Sequence, residues 1–388
     1  MRRIILKSLT VLLLLGLFEA TACSQEPNST SDPNILVEFK IDTKRIGFIL
    51  LPVRFDGEEC LFLLDTGASY LFFDISFRPK LGRPRKRINA ATLGKDTAID
   101  LYDAPDAFLG PLNLKEAGIV GIVDLEELSK SIGRQIHGII GISFINHYVV
   151  QIDFDNERLS FLRPKKEVKD NWGIEFPITI GHYEHPLIKT NILGKLDVYF
   201  AIDTGLNTTG ALDNAAMNYV LFLKDAKTAK TEILTASGSM VTREIRLDSF
   251  SLGPFEYKNL ILTEANLTHL GLGFFSRHIV TFDFPNSRFY LKKGKEFNRT
   301  DESGMAGLAL KRVAGQTIVK KVYEGLPSQR AGINAGDIII DIMGKPVESL
   351  GMWEIGKLLR SGDKRKIEMT IKRGDETMRV TIVLEKRI

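Results

Sequence analysis

A short motif occurs twice in this chain of 388 residues, and the repetition constrains the fold more than any other feature. Leu61–Ser69 reads L-F-L-L-D-T-G-A-S, and Val198–Gly205 reads V-Y-F-A-I-D-T-G. In each copy an apolar run, too short for an ordinary helix, leads to an aspartate on a Thr-Gly turn, which predicts a buried strand. Burying a carboxylate is costly unless it is hydrogen-bonded or functional. Asp65 and Asp203 are therefore the first candidates for a functional site.

Further matched segments surround both copies of the motif and keep the same order along the chain. The matched pairs are Phe55–Glu59 with Ile192–Leu196, Leu109–Leu112 with Leu252–Phe255, Gly138–Phe144 with Leu270–Phe275, and Val150–Leu162 with Val280–Leu291. Insertions in loops account for the small changes in their spacing. The repeat therefore predicts two homologous lobes in tandem.

Two carboxylates that meet across a cleft can share one chemical task. They cannot both ionise easily when they lie a few ångströms apart, so the pair holds one proton. One acid then acts as a base on water while the other donates a proton to a substrate carbonyl. For a single D-T-G motif the alternative is an aspartate that caps a loop, but the repeated context favours catalysis by Asp65 and Asp203.

The paired motifs, each followed by a hydrophobic-hydrophobic-Gly segment, resemble the pepsin-like and retropepsin-like aspartic proteases, with both lobes fused in one chain. The resemblance covers Ile35 to Phe297 and implies a mainly β, bilobal double β-barrel fold. It implies catalysis without a cofactor or a bound metal. It assigns catalysis to Asp65 and Asp203, with support from Thr66, Gly67, Ser69, Thr204 and Gly205. Strands are expected beneath the acids at Ile139–Gly141 and Leu270–Gly273, with Gly271 at a position that is usually apolar.

The second motif departs from the family pattern at Leu206 and Asn207, where small or hydroxyl residues are usual. Ser69 is expected to hydrogen-bond the first carboxylate, and Asn207 can donate in its place in the second lobe. Because neither Ala68 nor Leu206 carries a hydroxyl to stabilise the ionised pair, we expect an activity optimum nearer neutral pH. The same departures keep open a second function, that of a protein that binds polypeptides without cleaving them.

Several local features of the lobes are also predicted. Hairpins are expected around Leu93–Lys95, as a flap over the substrate, and around Ser237–Ser239. Helices are expected at Asp124–Ile132 and Asp213–Lys224, with Asp213 as the N-cap.

Other side chains have mainly structural interpretations. Cys60 reads as a core thiol, and His182 and His185 as residues of a surface loop. The basic stretch Arg78–Arg87 reads as a solvated loop, the alternative being a patch for acidic substrates or membrane phosphates.

The N-terminal segment predicts export. Arg2, Arg3 and Lys7 precede Leu9–Phe18, an apolar run too short to span a bilayer, and small residues precede Cys23. This arrangement resembles a bacterial lipobox, which implies that Cys23 is lipidated and tethers the protein to a membrane. Plain secretion is the alternative.

A separate unit begins at Gly304. Strands at Leu308–Val313 and Thr317–Val322, the A-G-I-N-A-G-D segment of Ala331–Asp337, and a helix at Met352–Arg360 resemble the PDZ domain of bacterial proteases, a small β-barrel with two helices. The resemblance implies a C-terminal or internal peptide ligand. The ligand carboxylate would be held at Met305, Ala306, Gly307 and Leu308. The G-L-G-F run of Gly271–Phe274 is expected to be a core strand of the second lobe instead.

The predicted domains and functions follow from these segments. The domains are a signal peptide (1–22), a tether (23–33), lobe 1 (34–167), lobe 2 (168–297), a linker (298–303) and a PDZ domain (304–388). A formal net charge of +4 is too balanced to indicate nucleic-acid binding. The absence of H-E-x-x-H and G-x-S-x-G disfavours zinc proteases and serine hydrolases. The expected function is an exported aspartic endopeptidase whose PDZ domain recruits or gates polypeptide substrates. The alternative is an inactive, protease-like PDZ scaffold at the cell envelope.

Overall fold

Two β-rich lobes follow each other along the chain, as the repeat predicts. The computed structural model describes residues 33–91, 96–165, 171–181, 185–224, 228–235, 238–302 and 304–388. Lobe 1 contains β1 (Ile35–Lys40), α1 (Thr43–Ile46), β2 (Leu50–Phe55), β3 (Glu58–Leu64), β4 (Leu71–Asp74), β5 (Lys86–Ala91), β6 (Asp96–Asp103), β7 (Ala107–Leu109), β8 (Leu112–Asn113), β9 (Ile119–Val123), α2 (Glu126–Ile132), β10 (Gly138–Ile140), α3 (Ile142–Ile145), β11 (Val149–Asp153) and β12 (Arg158–Leu162).

Lobe 2 repeats the order of the main strands. It contains β13 (Ile174–Pro177), β14 (Thr179–Ile180), β15 (Pro186–Ile192), β16 (Leu196–Ile202), β17 (Gly210–Asp213), α4 (Asn214–Lys224), β18 (Thr228–Thr235), β19 (Gly238–Leu247), β20 (Phe250–Leu252), β21 (Phe255–Tyr257), β22 (Leu260–Ala265), β23 (His269–Leu270), α5 (Leu272–Phe275), β24 (His278–Asp283) and β25 (Arg288–Lys293). Relative to lobe 1, it has β14 in place of α1, a helix after β17 and none between β22 and β23 in the structure described. Short 3₁₀ turns lie at Ile75–Lys80, Leu114–Ala117 and Phe284–Asn286.

The two lobes have sheets of matching strand order. The lobe 1 sheet runs β5-β6-β9-β4-β10-β3-β2-β7-β8, and the lobe 2 sheet runs β18-β19-β22-β17-β23-β16-β15-β20-β21, with β14 on β15. Each strand of the lobe 1 sheet therefore has a counterpart at the same place in the lobe 2 sheet. The mainly β, bilobal fold class is confirmed.

A third sheet joins the lobes. Its order is β1-β12-β11-β24-β25-β13, and its centre is the antiparallel pair of β11 from lobe 1 and β24 from lobe 2. Gln151 lies opposite Thr281 in this pair, and its side-chain amide donates to the Thr281 hydroxyl at 2.9 Å. The repeated segments Val150–Leu162 and Val280–Leu291 thus form equivalent hairpins on both sides of one seam.

Local sequence explains the turn that precedes the first acid. Asp56 and Gly57 have φ angles of 54° and 80° between β2 and β3, the left-handed pair that a two-residue hairpin requires. The equivalent turn of lobe 2 uses Leu193 and Gly194, with φ angles of 56° and 67°. These turns fix the register of the strands that carry the acids.

The predicted strand Leu270–Gly273 is wrong in its second half. The strand ends at Leu270, and Leu272–Phe275 forms a short helix after Gly271, as Ile142–Ile145 does after Gly141 in lobe 1. A Cβ on Gly271 would lie 2.5 Å from the Leu206 carbonyl oxygen, and one on Gly141 equally close to that of Ala68. The close backbone approach requires glycine at both places. Gly271 is therefore the counterpart of Gly141, not a glycine at an apolar position, and the G-L-G-F run is a helical turn.

The other local predictions have mixed outcomes. Both helices are present as α2 and α4, and the Asp213 carboxylate accepts from the Ala216 N–H at 2.8 Å, as an N-cap does. Both hairpins are present, but Thr235 pairs with Gly238, so Gly238 and Ser239 lie in β19 instead of the turn. The flap turn at Leu93–Lys95 lies outside the described residues.

The C-terminal unit has its own sheet and core. Its elements are β26 (Gly304–Met305), β27 (Leu308–Val313), β28 (Gln316–Val322), α6 (Pro327–Arg330), β29 (Ile338–Ile342), β30 (Lys345–Pro346), α7 (Met352–Leu358), β31 (Lys366–Arg373), β32 (Glu376–Val383) and β33 (Glu385–Lys386), with a 3₁₀ turn at Val347–Ser349. The sheet order is β27-β28-β29-β31-β32, with β30 on β29, and β26 pairs with β33. An apolar cluster centred on Ile339, Ile355 and Ile371 fills this unit separately from the lobes.

The predicted linker is bound tightly to lobe 2. Asp301 accepts hydrogen bonds from the Thr209 hydroxyl at 2.7 Å and the Ile261 N–H at 2.8 Å, and it pairs with Arg277 at 2.6 Å. Arg246 donates to the Asp301 carbonyl oxygen at 2.9 Å. The polar segment predicted as a linker is therefore anchored on the lobe that carries Asp203.

The C-terminal unit also packs against lobe 1. Gly47, at the end of α1, lies against the ring of Trp353 on α7, and a Cβ at this glycine would lie 2.5 Å from the ring. Helix α2 packs against β27. Of the residues described, no helix is long and apolar enough to cross a bilayer. The leader and Cys23 lie outside the described residues.

Candidate active site

Strands β3 and β16 carry the two acids to the same point between the lobes. Strand β10 runs parallel to β3, and β23 runs parallel to β16. The Asp65 N–H donates to the Ile140 carbonyl oxygen at 3.0 Å, and the Asp203 N–H donates to that of Leu270 at 2.9 Å. The strands expected beneath the acids thus hold each aspartate through a hydrogen bond to its backbone N–H.

The two carboxyl groups face each other, and each lies against the glycine of the opposite motif. Oδ1 of Asp65 accepts from the Gly67 N–H at 2.8 Å, and Oδ1 of Asp203 accepts from the Gly205 N–H at 2.9 Å. A Cβ on Gly67 would lie 2.8 Å from an Asp203 oxygen, and one on Gly205 would lie 2.6 Å from an Asp65 oxygen. Each motif therefore needs its glycine to make room for the opposite acid.

The two threonines of the motifs form a reciprocal set of hydrogen bonds beneath the acids. The Thr66 hydroxyl donates to the Ile202 carbonyl oxygen at 2.8 Å and accepts from the Thr204 N–H at 3.0 Å. The Thr204 hydroxyl donates to the Leu64 carbonyl oxygen at 2.9 Å and accepts from the Thr66 N–H at 3.0 Å. All four bonds cross between the lobes, so they fix the separation of the acids.

The surroundings make the two acids electrically unequal. Burial, and next the neighbouring Asp203 carboxylate, raise the pKa of Asp65 well above its usual value. Burial also opposes the ionised form of Asp203, but the hydrogen bond and the charge of His269 outweigh it and hold the pKa of Asp203 below its usual value. At neutral pH this arrangement favours a proton on Asp65 and a carboxylate at Asp203.

His269 is a site residue that the sequence analysis missed. Its Nδ1 lies 2.6 Å from Oδ2 of Asp203, and both side chains are 6% exposed. His185, expected in a surface loop, is half-buried, and its ring centre lies 6.2 Å from that of His269. Burial lowers the pKa of His185, as does the proximity of His269. His182 lies outside the described residues.

The remaining motif residues support the backbone of the site. The Ser69 carbonyl oxygen accepts from the Ser143 N–H at 3.1 Å, and that of Leu206 accepts from the Leu272 N–H at 2.7 Å. These bonds tie each motif to the short helix after its supporting strand. Hydrogen bonds from the Ser69 hydroxyl and the Asn207 amide to the carboxylates stay predictions.

Two other sequence interpretations can be compared with the structure. Cys60 is a free thiol, 2% exposed in the core, and burial raises its pKa to about 11. In the basic stretch, Arg78 and Arg87 both bind Asp100 and lower its pKa to about 2, while Arg85 pairs with an acid of β6. Within the described parts of the chain, no cluster of three or more His, Cys, Asp or Glu side chains is placed to hold a metal ion.

The expected carboxylate-binding loop of the C-terminal unit leads into an edge strand. Gly307 has a φ angle of 76° and lies against Leu326, so this turn requires glycine. Ala306 is 3% exposed, its N–H donates to Leu359 and its carbonyl oxygen accepts from Ser328. Ala306 therefore serves the fold, and Met305 pairs with Glu385 in the β26–β33 ladder. Gly307 and Leu308 are then the backbone positions of this loop that could meet a ligand carboxylate.

An open cleft of about 2170 Å³ separates this loop from the lobes. Its lining includes Gly307, Leu310 and Trp353 from the C-terminal unit and Phe48 and Leu206 from the lobes. Neither aspartate belongs to its lining. The edge strand β27 and the residues that follow the second acid thus line the same cleft.

Comparisons with known proteins give the same division of the chain. The family described as aspartyl protease matches residues 51–144 and 188–273, one segment in each lobe. The family described as PDZ domain matches residues 318–373. A stretch of 105 residues is 29% identical to a probable CtpA-like serine protease of Staphylococcus aureus (strain COL), over 26% of this chain and 21% of that protein. The chain thus spans about a fifth of the length of the curated relatives it matches.

Among solved structures, a retropepsin-like aspartic protease from Rickettsia conorii is 23% identical, with a TM-score of 0.25, over 30% of this chain and 89% of that one. The PDZ domain of a carboxy-terminal protease from Vibrio cholerae, in complex with a peptide, is 20% identical, with a TM-score of 0.21, over 23% of this chain and 99% of that one. Both lobes of this chain thus match the aspartyl protease family, and its C-terminal unit matches the PDZ domain family.

Proposed function

We propose that this chain is an exported aspartic endopeptidase that cleaves polypeptides with a water molecule activated between Asp65 and Asp203. One observation supports this above all others: the two carboxyl groups face each other, each against the glycine of the opposite motif, and four hydrogen bonds of Thr66 and Thr204 hold them there. Such a preorganised pair is what general acid–base hydrolysis of an amide needs.

The opposite pKa shifts of the two acids support a different role for each one. Asp203, as the carboxylate, takes a proton from water while the water oxygen bonds to the substrate carbonyl carbon. Asp65 gives its proton to the carbonyl oxygen, and a tetrahedral diol results. The diol then loses a proton to Asp65 as the C–N bond breaks, and the proton on Asp203 passes to the departing amine. Both acids return to their starting forms without a covalent link to the enzyme.

The PDZ domain is proposed to present polypeptides to the lobes. Strand β27 is at the edge of its sheet, and none of the strands described in the structure pairs with its outer side. A peptide can add to such an edge by main-chain hydrogen bonds, with its carboxylate near Gly307 and Leu308. Since β27 and Leu206 line the same cleft and α2 of lobe 1 packs against β27, a polypeptide bound at this edge would lie close to the lobes.

The test compares the full-length protein with two variants, Asp65→Asn and Asp203→Asn, on an unfolded polypeptide substrate. We expect fragments from the wild type, identified by mass spectrometry, and none from either variant. Asp124→Asn, an exposed acid at the start of α2, is the matched control and should cleave like the wild type. Fragments that persist in both site variants would refute the assignment.

The same experiment separates the alternative function. A protein that only binds would yield no fragments in any form, yet it would retain polypeptides equally in the wild type and both variants. Removing residues 304–388 then tests the PDZ domain. Unchanged turnover of a large polypeptide after this deletion would remove its role in recruitment or gating.

Export and anchoring are also part of the proposal. The leader and the small residues before Cys23 support lipidation of that cysteine. Replacing Cys23 by serine should move the protein from the membrane fraction of bacterial cells to the soluble fraction. A wild-type protein found in the medium would instead support plain secretion.

A further inference from the structure

A histidine contacts one acid of the pair, and the equivalent position of the other lobe is apolar. His269 pairs with Ala201, two residues before Asp203. In lobe 1, Ile139 pairs with Leu63, two residues before Asp65. His269 and Ile139 therefore occupy the same place in the two sheets.

The comparison within the molecule shows that the fold does not require histidine at this place. Ile139 is buried in an apolar cluster with Leu50, Leu63 and Phe72. His185 also corresponds to an apolar residue. It lies two residues before Leu187, which pairs with Ala201, and the equivalent pair in lobe 1 is Leu50 with Leu63. The counterpart of His185 is therefore Phe48, two residues before Leu50. Lobe 2 thus has imidazole side chains at two positions where lobe 1 has apolar side chains.

The charged and titratable groups around His269 come from each neighbouring element. Asp203 at the end of β16 accepts its hydrogen bond, and Asp65 from lobe 1 lies just beyond. His185 lies edge-on before β15. Asp213, at the end of β17, is engaged by the Thr268 hydroxyl at 2.9 Å. Asp203 is therefore the acid that His269 acts on directly.

We propose that His269 is a positioning residue that divides the work of the two acids, holding Asp203 as the ionised base and leaving the shared proton on Asp65. The inference rests on the proposed function and deepens it. A donor 2.6 Å from one carboxylate stabilises its charged form, and no such group stands at the equivalent place beside Asp65. The opposite directions of the pKa shifts of the two acids agree with this geometry.

Two substitutions separate the contributions of the imidazole. His269→Ile installs the residue that lobe 1 carries, which removes both donor and charge. His269→Asn keeps a neutral N–H donor, because its amide nitrogen is as many bonds from Cα as Nδ1 is. His147→Gln, at an exposed histidine, is the matched control.

The primary measurement is the titration of Asp203 by carboxyl ¹³C NMR on the folded, full-length protein. In His269→Ile we expect its midpoint to rise by about one pH unit or more, as the loss of a close stabilising partner does. His269→Asn should shift it by less than half as much, and His147→Gln should leave it unchanged. An unmoved midpoint in folded His269→Ile would overturn the proposal. If that variant does not fold, a His269→Asn midpoint identical to that of the wild type would overturn it.

Activity supplies a second readout. The acidic limb of the kcat/KM profile should move to higher pH in His269→Ile, and kcat should fall at least about tenfold, with KM little changed, since Asp203 loses its fixed orientation. An unchanged kcat, with kcat/KM falling only because KM rises, would overturn a positioning role. If the wild type cleaves nothing, the proposed function fails, but the NMR titration still decides whether His269 controls Asp203.

Discussion

Removing the Thr66 hydroxyl tests whether the reciprocal bonds hold the lobes together. Thr66→Val keeps nearly the same side-chain shape but loses the only polar atom of a side chain that is 1% exposed. The Ile202 carbonyl oxygen and the Thr204 N–H would each lose a hydrogen bond, at 2.8 Å and 3.0 Å. An unpaired buried group costs about 1–3 kcal/mol, so we expect the free energy of unfolding to fall by about 2–6 kcal/mol.

Urea unfolding followed by circular dichroism measures this change. Thr204→Val should cost a similar amount, because its hydroxyl makes the equivalent two bonds from the other lobe. Thr179→Val, at an exposed position of β14, is the control and should change the free energy of unfolding by less than about 0.5 kcal/mol. A cost below about 1 kcal/mol for Thr66→Val, or a large cost for one threonine and none for the other, would refute the reasoning.

Three further predictions concern other parts of the molecule. Gly47→Ala and Gly57→Ala share a φ angle of 80°, but only the first meets the Trp353 ring, since the structure describes no atom within 4 Å of a Cβ at Gly57. Only Gly47→Ala should therefore change the fluorescence of Trp353; equal changes would contradict this contact. In a variant whose sole cysteine is Cys60, the thiol should resist an aromatic disulfide reagent at pH 8 until urea unfolds the protein, because burial raises its pKa to about 11; rapid native labelling would disprove this. Burial lowers the pKa of His278 to about 3, whereas the unfolded residue takes up a proton near pH 6.5. The free energy of unfolding should therefore fall as the pH drops from about 6.5 toward 3, by about 1.4 kcal/mol per pH unit. His278→Gln should flatten this slope in urea titrations.

The acids and much of the fold were accessible from sequence because their signals are local. The apolar runs before Asp65 and Asp203 and the N-cap at Asp213 each leave a recognisable pattern within a few residues. The order of repeated segments then gave two lobes. Local patterns and repetition were enough to predict a bilobal β fold with paired carboxylates.

The rest depended on contacts that no local pattern contains. The run L-G-L-G-F-F can be matched to its lobe 1 counterpart in two registers, and only the bond from the Asp203 N–H to the Leu270 carbonyl oxygen selects one. The register chosen from sequence started at Leu270 and so hid His269, one residue earlier. The reciprocal bonds of Thr66 and Thr204 join residues 138 positions apart, and the polar composition of the linker gave no sign that Asp301 is held by lobe 2.

Ile139 and His269 occupy equivalent positions but differ in chemistry, which shows what is gained when one polypeptide encodes both halves of a cleft. In an assembly of two identical subunits, every residue near the twofold axis is present in duplicate. A histidine beside one acid would bring another beside its mate, and the two could not be told apart. Here a single codon change alters the neighbour of Asp203 and leaves that of Asp65 untouched. Each half is thus free to specialise, one toward giving a proton and the other toward receiving it.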